Sequence, residues 1–385
     1  MGGISKMKNR KVIALLLVGV FLLGGCGMQG NFNKDTQSSG EVKETEQDSE
    51  AITESESEPE PEPEPEPVVS TFTLTATGDC ALGILQYHGY EASFHQYYVE
   101  NGASYFFDKF SETFSNDDLT LINLECVFTD ETERVEKTYN IKGPKEYATI
   151  LSSHSIEAAT LGNNHSMDYG PKSLTDTQEA LDEAGVIWAY NDIVSYYFTD
   201  DGIKVAIVSV NLFKGEELAE NYLFDGIAKA KTEGANLIIV CPHWGIEGDY
   251  YANAQQQDLG HRLIDAGADL IIGNHPHVLQ GIEYYNGKMI CYSLANFSFG
   301  ANRNPAEKNT AVYQQTFTFV DGVLQANIDA SIIPARVSGA SGYNNFQPII
   351  AEGEQKADII QKMNEYSNAI NGVSFDENGK IIINE

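Results

Sequence analysis

The sequence predicts an α/β fold, and three observations support that class. Apolar, β-branched runs alternate along the chain with segments of helical periodicity, as in sheets covered by helices. Hydrophobic residues make up 42% and charged residues 21% of the 385 positions, a composition that can bury a core. No period of about 20 to 50 residues recurs, which argues against a repeat fold.

The first half of the folded part is predicted to contain short strands alternating with helices. The run VVSTFTLTA is β-branched and leads to Gly78-Asp79, whereas LTLINL is uniformly apolar, as in a buried strand. The segments with apolar residues at helical spacing include one that ends at Gly185, a typical helix stop. The predicted strands are 68–76, 119–124 and 158–161, and the predicted helices are 106–114, 147–154 and 173–184.

The second half continues the same alternation. An antiparallel pair is expected around the turn at Asp321-Gly322, and a helix and a short strand close the chain. The predicted strands are 204–210, 236–240, 269–272, 288–293, 314–320, 323–332 and 380–383, and the predicted helices are 224–233, 255–266 and 354–370.

Residues 1–26 are predicted to be a lipoprotein signal peptide. Four basic residues precede an apolar stretch over 12–23, which is shorter than the ~20 residues of a comfortable membrane span. Leu23-Gly24-Gly25-Cys26 resembles a bacterial lipobox, in which Cys26 is lipidated. We therefore expect a lipid anchor at the extracytoplasmic face of a bacterial cell membrane. An uncleaved signal anchor is the alternative.

Residues 27–69 are predicted to be a disordered linker before a single domain over 70–385. The stretch 27–67 carries 13 acidic and two basic residues and ends in EPEPEPEPEP. Such a composition cannot bury a core, and alternating proline favours an extended chain. We expect an acidic stalk that holds the domain away from the membrane.

The charge excludes a general nucleic-acid binder. The chain has 56 acidic and 24 basic residues, a net charge of −32, and no basic footprint. An anionic polymer or peptide substrate would need a metal ion or local cations to overcome this field. Lys137 and Lys142 are rare cations that could contact such a substrate, and an ordinary solvated strand is the alternative interpretation.

Polar side chains follow most of the predicted strands at the point where each strand ends. The carboxyl ends of strands are where sites assemble in α/β folds, so we expect these side chains to meet. Imidazoles and carboxylates together suit a divalent transition metal such as Mn, Fe or Zn, as one or two ions. The candidate residues are Asp79, Glu125, Asn164, His165, His243, His275 and His277.

Other polar residues of these motifs have two interpretations each. Glu247 could orient His243 or could simply begin a helix, and Trp244 stands beside the same histidine. Ser293 and Asn296 could line the site or form a turn at a strand end. The four cysteines after Cys26 show no CxxC spacing and are expected to be small buried residues, although a disulfide is open.

Taken in order, the motifs resemble the CapA/PgsA family, bacterial capsule-synthesis proteins linked to poly-γ-glutamate. That family is similar to calcineurin-like metallophosphoesterases. The resemblance covers about residues 71–370 and is carried by Gly78-Asp79, Asn123-Leu124-Glu125, Gly162-Asn163-Asn164-His165, His243-Trp244-Gly245, His275-Pro276-His277 and Tyr292-Ser293-Leu294.

The resemblance implies a four-layer αββα sandwich with metal ions at the strand ends. His165 would be the general acid or transition-state stabiliser, oriented by Asp168, and Asn123 would lie near the substrate or behind the ligands. The implied ligands are Asp79 and His277 for a first ion, Asn164, His243 and His275 for a second, and Glu125 in the bridging position.

Two departures weaken the analogy with the phosphoesterases. Their first motif is Asp-x-His, but Ala81 stands at the third position here and cannot bind metal. Their bridging aspartate is replaced by Glu125. These two departures favour one tightly held ion with a weak or absent second. Separately, Ile84 stands where the capsule family often has an arginine, which removes a possible contact for an anion.

Two functional hypotheses from different classes follow. In the first, the chain is a surface-anchored hydrolase-like protein acting on a γ-glutamyl amide or a phosphoester. In the second, it is a non-catalytic accessory protein of a membrane synthase or export complex for the polymer. A solute-binding lipoprotein would share the anchor, but it would not explain the ordered histidine and acid motifs.

Overall fold

The computed structural model describes residues 66–213 and 216–383, with only the backbone of 216 and 217. Pro67–Glu385 is one compact unit. The predicted signal peptide, Cys26 and nearly all of the predicted linker lie outside the described residues. No helix in the described part is long and apolar enough to cross a membrane.

The described residues contain strands and helices in alternation, which confirms the α/β class. The strands are β1 Val69–Ala81, β2 Ile84–Leu85, β3 Leu119–Leu124, β4 Val127–Phe128, β5 Ile141–Gly143, β6 Ala158–Thr160, β7 Ile187–Ala189, β8 Ser195–Phe198, β9 Lys204–Asn211, β10 Leu237–His243, β11 Leu270–Ile272, β12 Ile282–Tyr285, β13 Lys288–Cys291, β14 Asn296–Phe299, β15 Asn309–Val320, β16 Val323–Leu324, β17 Asp329–Arg336, β18 Ile349–Ile350, β19 Ser374–Phe375 and β20 Ile381–Ile382. The helices are α1 Phe94–Asn101, α2 Ser111–Ser115, α3 Ala148–Ser152, α4 Pro171–Ala184, α5 Glu216–Thr232, α6 Ala254–Ala266 and α7 Gly353–Asn368.

Two large sheets organise the chain. The first has the strand order β18-β17-β15-β1-β3-β6-β7, with β14 also pairing with β1 and β16 with β15. Within it, β1, β3, β6 and β7 run parallel. The second has the order β12-β13-β11-β10-β9-β8, and its four central strands are parallel. The carboxyl ends of the parallel strands therefore form one edge in each sheet.

One hydrophobic core lies between the two sheets. Successive side chains of a strand point to opposite faces, so one face of each sheet contributes to this core. Val205 and Ile207 of β9 pack in this shared core with Leu74 of β1 and Leu121 of β3. The intervening side chains of β9 pack outward against α5 and α6. On the other side, α3 and α4 pack with β3 and β6 in a separate cluster. Helices therefore cover the outward face of each large sheet.

Local signals set the ends of the long helices. Asn253 and Gln256 form a capping box at the start of α6, and Gly267 ends the helix in a left-handed conformation. Gly185 ends α4 in the same way, as the sequence predicts. These stops direct the chain into the next parallel strand of each sheet.

Two predicted elements are wrong in detail. The helix predicted over 106–114 is a 3₁₀ turn followed by the short α2, in a segment where Phe106 stacks on Phe94 and Phe107 stacks on Phe297. The strand predicted over 323–332 is broken into β16 and β17. The sequence patterns do not predict α1, the strands β7, β8 and β12, or the small three-stranded sheet β2-β5-β4.

Candidate metal centre

Strand register brings the predicted site residues to one place. Asp79 of β1 pairs with Asn123 of β3 on one side and with Asn296 of β14 on the other. In the second sheet, His243 at the end of β10 pairs with Asn274 after β11. The paired residues therefore lie side by side at the carboxyl ends of their strands.

Four donor atoms converge in the first part of the cluster. Nε2 of His243 lies 3.0 Å from Oδ1 of Asn164, 3.1 Å from Nδ1 of His275 and 3.5 Å from Oε1 of Glu125. Two ligands held about 2.1 Å from a tetrahedral ion lie about 3.4 Å apart, so these spacings suit a shared ion.

The second part of the cluster centres on His277. Its Nδ1 lies 3.1 Å from Oδ2 of Asp79 and 3.0 Å from Oδ1 of Asn296, and its Nε2 lies 3.7 Å from Oε1 of Glu125. Asp79 also accepts hydrogen bonds from the side chain of Asn123 at 2.7 Å and from the backbone of His275 at 3.2 Å. Asp79 thus links β1 and β3 to the loop that carries His275 and His277.

Glu125 lies between the two parts and is the clearest sign of a missing partner. Its side chain is fully buried, yet neither carboxylate oxygen has a hydrogen-bond partner in the described structure. A buried polar group without a hydrogen-bond partner is strongly disfavoured. The oxygen and nitrogen donors around it are those preferred by Mn, Fe and Zn, so the residues present fit a divalent transition metal.

The electrostatics of the cluster suit metal ligation. Burial raises the pKa of Glu125 to about 8 and lowers the pKa values of His243 and His275 to about 3. Burial opposes ionisation of Asp79, but the hydrogen bond and charge of His277 hold the pKa of Asp79 below its ordinary value. Burial likewise opposes the charge of His277, but Glu125 and Asp79 raise its pKa to about 10. An incoming cation would displace the protons of Glu125 and His277.

The backbone around the histidines is strained. His275 and His277 have φ values of +100° and +58°, in the region that side chains other than glycine rarely adopt. β1 also passes very close to the residue that precedes β14. A Cβ at Gly78 would lie 2.0 Å from the carbonyl oxygen of Ala295. Strain of this kind persists where the surrounding structure holds side chains in set directions.

His165 lies beside the cluster with its own partner. Its Nδ1 is 2.7 Å from Oδ2 of Asp168, and this pairing leaves Nε2 for another group. Lys137 forms an ion pair with Oδ1 of Asp168 and donates a hydrogen bond to the carbonyl oxygen of Asn164 at 2.8 Å. The role of Lys137 beside Asp168 was not foreseen, because no local pattern links positions 31 residues apart.

Other predicted residues are engaged elsewhere. The amine of Lys142 bonds to the carbonyl oxygen of Glu131 and lies 4.7 Å from the ring centroid of Tyr169. The indole N–H of Trp244 donates to the carbonyl oxygen of Tyr292 at 2.9 Å, and Ser293 accepts from a backbone N–H in a local turn.

Two further polar groups adjoin the ligands. Asn163 donates to the side chain of Asn123 at 3.1 Å, a contact that its place in the Gly-Asn-Asn-His motif could have suggested. The Nδ2 atom of Asn274 is buried without a hydrogen-bond partner in the described structure.

Cys80, Cys126, Cys241 and Cys291 are free and buried, as predicted.

Comparison with known proteins gives a family and several relatives. The profile of the family described as "Bacterial capsule synthesis protein PGA_cap" matches residues 73–301. The "PGA biosynthesis protein CapA" of Bacillus subtilis (strain 168) is 30% identical over 221 residues, 52% of this chain and 58% of that protein. The "Capsule biosynthesis protein CapA" of Bacillus anthracis is 30% identical over 223 residues, 51% of this chain and 54% of that protein.

A third relative is named as an accessory protein. A "Probable polyglutamine synthesis accessory protein" of Mycobacterium tuberculosis (strain ATCC 25618 / H37Rv) is 28% identical over 208 residues, 46% of this chain and 55% of that protein. The aligned part of the chain thus spans little more than half the length of each of these relatives.

Proposed function

The chain belongs to the PGA_cap family of bacterial capsule synthesis proteins, and on that premise we propose that it acts in the biosynthesis or processing of a poly-γ-glutamate-type capsule polymer through a metal-dependent, hydrolase-like site. The observation that carries the proposal is Glu125. Neither of its buried oxygens has a hydrogen-bond partner among the described residues, and Oε1 lies within 3.7 Å of the imidazoles of His243 and His277. A carboxylate in such a place is most simply explained by a cation.

The proposed ligand sets follow the two parts of the cluster. Asn164, His243, His275 and Glu125 would hold one ion, and Asp79, Glu125 and His277 a second position. A divalent ion there would supply Lewis acidity toward a carbonyl or phosphoryl oxygen of the substrate.

The chain's own residues would handle the proton. Asp168 holds Nδ1 of His165, so that Nε2 can present or receive a proton at the scissile bond. Lys137 compensates the charge of Asp168 and bonds to the carbonyl of Asn164, so it holds the histidine and a proposed ligand in one arrangement. The substrate would be a γ-glutamyl amide or a phosphoester.

The proposal includes a metallophosphoesterase-like, four-layer αββα arrangement. It is supported by the core shared between the two sheets and by the separate helix clusters on their outer faces. It also includes lipid attachment of Cys26 at the extracytoplasmic face of the membrane, for which the lipobox is the support.

The test compares the purified protein with its His165→Gln variant. Both should contain about one or two equivalents of Mn, Fe or Zn by elemental analysis. The wild type should release product from a γ-glutamyl oligomer or an aryl phosphate. Turnover should fall by about 10²-fold or more in the variant. Equal turnover in the two proteins would remove the catalytic role of His165.

A second function is favoured by the name of one relative. The mycobacterial protein is called an accessory protein of polyglutamine synthesis, which agrees with a non-catalytic partner of a membrane synthase complex. In that case the protein would bind metal and would copurify with the synthase, but it would hydrolyse neither probe. Polymer production in cells would then survive His165→Gln and fail only when the whole protein is removed.

A further inference from the structure

Glu247 lies on a loop that is fastened to the histidine loop. It follows β10 by four residues, between Gly245 and Gly248, whose φ values are +82° and +78°. The N–H of Gly248 donates to the carbonyl oxygen of Pro276 at 2.9 Å. This bond fixes the residue next to Glu247 against the turn that carries His275 and His277.

The carboxylate of Glu247 faces the same two imidazoles as the buried cluster, from the solvent side. One oxygen of Glu247 and one ring nitrogen from each of His275 and His277 lie within 4.8 Å of one another. Glu247 is exposed, whereas Glu125 is fully buried. The two histidines thus have a carboxylate below them in the core and another above them at the surface.

His243, which Glu247 could orient from its sequence position, has other neighbours at both ring nitrogens. Nε2 of His243 already faces Asn164, His275 and Glu125. Its Nδ1 lies 3.5 Å from the side-chain amide of Asn123. Neither ring nitrogen of His243 therefore requires the carboxylate of Glu247, which lies near the imidazoles of His275 and His277.

We propose that Glu247 is a direct ligand of the ion on the His277 side of the centre. The side chain of Ala81 has no atom that can bind a metal, so the end of β1 offers this position Asp79 but no second side-chain ligand from Ala81. With Glu247 added, the proposed ligands on that side are the imidazole of His277 and the carboxylates of Asp79, Glu125 and Glu247, a nitrogen and oxygen donor set that Zn²⁺ and Mn²⁺ accept. The inference rests on the metal centre of the proposed function and adds one ligand to it.

The test uses the full protein, stripped with chelator and titrated with Mn²⁺ by calorimetry and EPR spectroscopy. In Glu247→Gln, the Kd of the weakest-bound ion should rise at least tenfold, with a changed EPR signal for that ion, while any tighter ion is unaffected. Asp249→Asn makes the same charge change in the same loop. The side chain of Asp249 accepts a hydrogen bond from the backbone N–H of nearby Tyr251 and belongs to neither proposed ligand set, so this variant should match the wild type.

The outcomes separate this inference from the proposed function. A Kd for the weakest ion that changes less than tenfold in Glu247→Gln, as in Asp249→Asn, would overturn the inference and leave the centre intact. A wild type that binds no Mn²⁺ would refute the metal centre itself. Because Glu247 is exposed, the metal-free variant should unfold at the wild-type temperature, which excludes a folding defect.

Discussion

Replacement of Glu125 by glutamine should stabilise the metal-free protein and abolish its response to metal. The carboxyl group is fully buried, and burial raises its pKa from 4.5 to about 8. Glutamine keeps the shape of the side chain and cannot ionise. The variant therefore removes the cost of burying this acid together with its capacity to bind a cation.

The size of the effect follows from linkage. The pKa of Glu125 is higher in the folded state than in the unfolded state. The contribution of this group to the free energy of unfolding is therefore fully present below pH 4.5 and is lost as the pH rises toward 8. At pH 7 the unfolded group is ionised and the folded group is largely protonated, so folding must take up a proton. The 2.5 pH units between 4.5 and 7 correspond to about 3 kcal/mol, and at about 2 °C per kcal/mol the melting temperature should rise by about 6 °C.

The assay is thermal unfolding of both proteins in chelator and in excess Mn²⁺. The wild type should gain about 2.7 kcal/mol when free metal is at 100 times its Kd, whereas the variant should gain nothing. The stability difference in chelator should disappear near pH 4.5. Glu283→Gln is a matched control, because Glu283 is also buried but accepts a hydrogen bond from Tyr292 at 2.7 Å.

Two results would refute this reasoning. The first is a Glu125→Gln protein that is less stable than the wild type in chelator at pH 7. The second is a variant whose melting temperature still rises with Mn²⁺. Glu283→Gln should be no more stable than the wild type, since it loses good partners for its oxygens.

Three further predictions concern the metal and the membrane. Metal affinity should rise with pH between about 6 and 9, because the ion must displace protons from Glu125 and His277, whose pKa values are raised. Calorimetry at several pH values would measure this rise, and an affinity that does not change with pH would contradict it. His243→Ala should lose stoichiometric metal by elemental analysis, and retained metal would remove His243 from the ligand set. Cys26→Ser should move the protein from the membrane to the soluble fraction, and a variant that stays in the membrane fraction would exclude the lipobox as its anchor.

Much of the fold could be predicted from sequence because its signals are local. The strand predicted over 119–124 is β3 itself, and the helices ended by Gly185 and Gly267 stop where the glycines allow a left-handed turn. The segment over 106–114 has phenylalanines at helical spacing, yet it forms a 3₁₀ turn and the short α2, and Phe107 stacks on Phe297. A contact with a residue so far away in the chain leaves no local signal.

The sequence by itself determined the family, the α/β class and the residues that end the strands, since each depends on short motifs and on apolar periodicity. Only the tertiary structure decided which of those residues share a centre. It placed Glu247 near His275 and His277, left both oxygens of Glu125 without hydrogen-bond partners among the described residues, and engaged Lys142 with Glu131 and Tyr169. The physical reason is that parallel strands meet their neighbours through long connections, so strand register and loop packing, not spacing along the chain, set the distances between side chains.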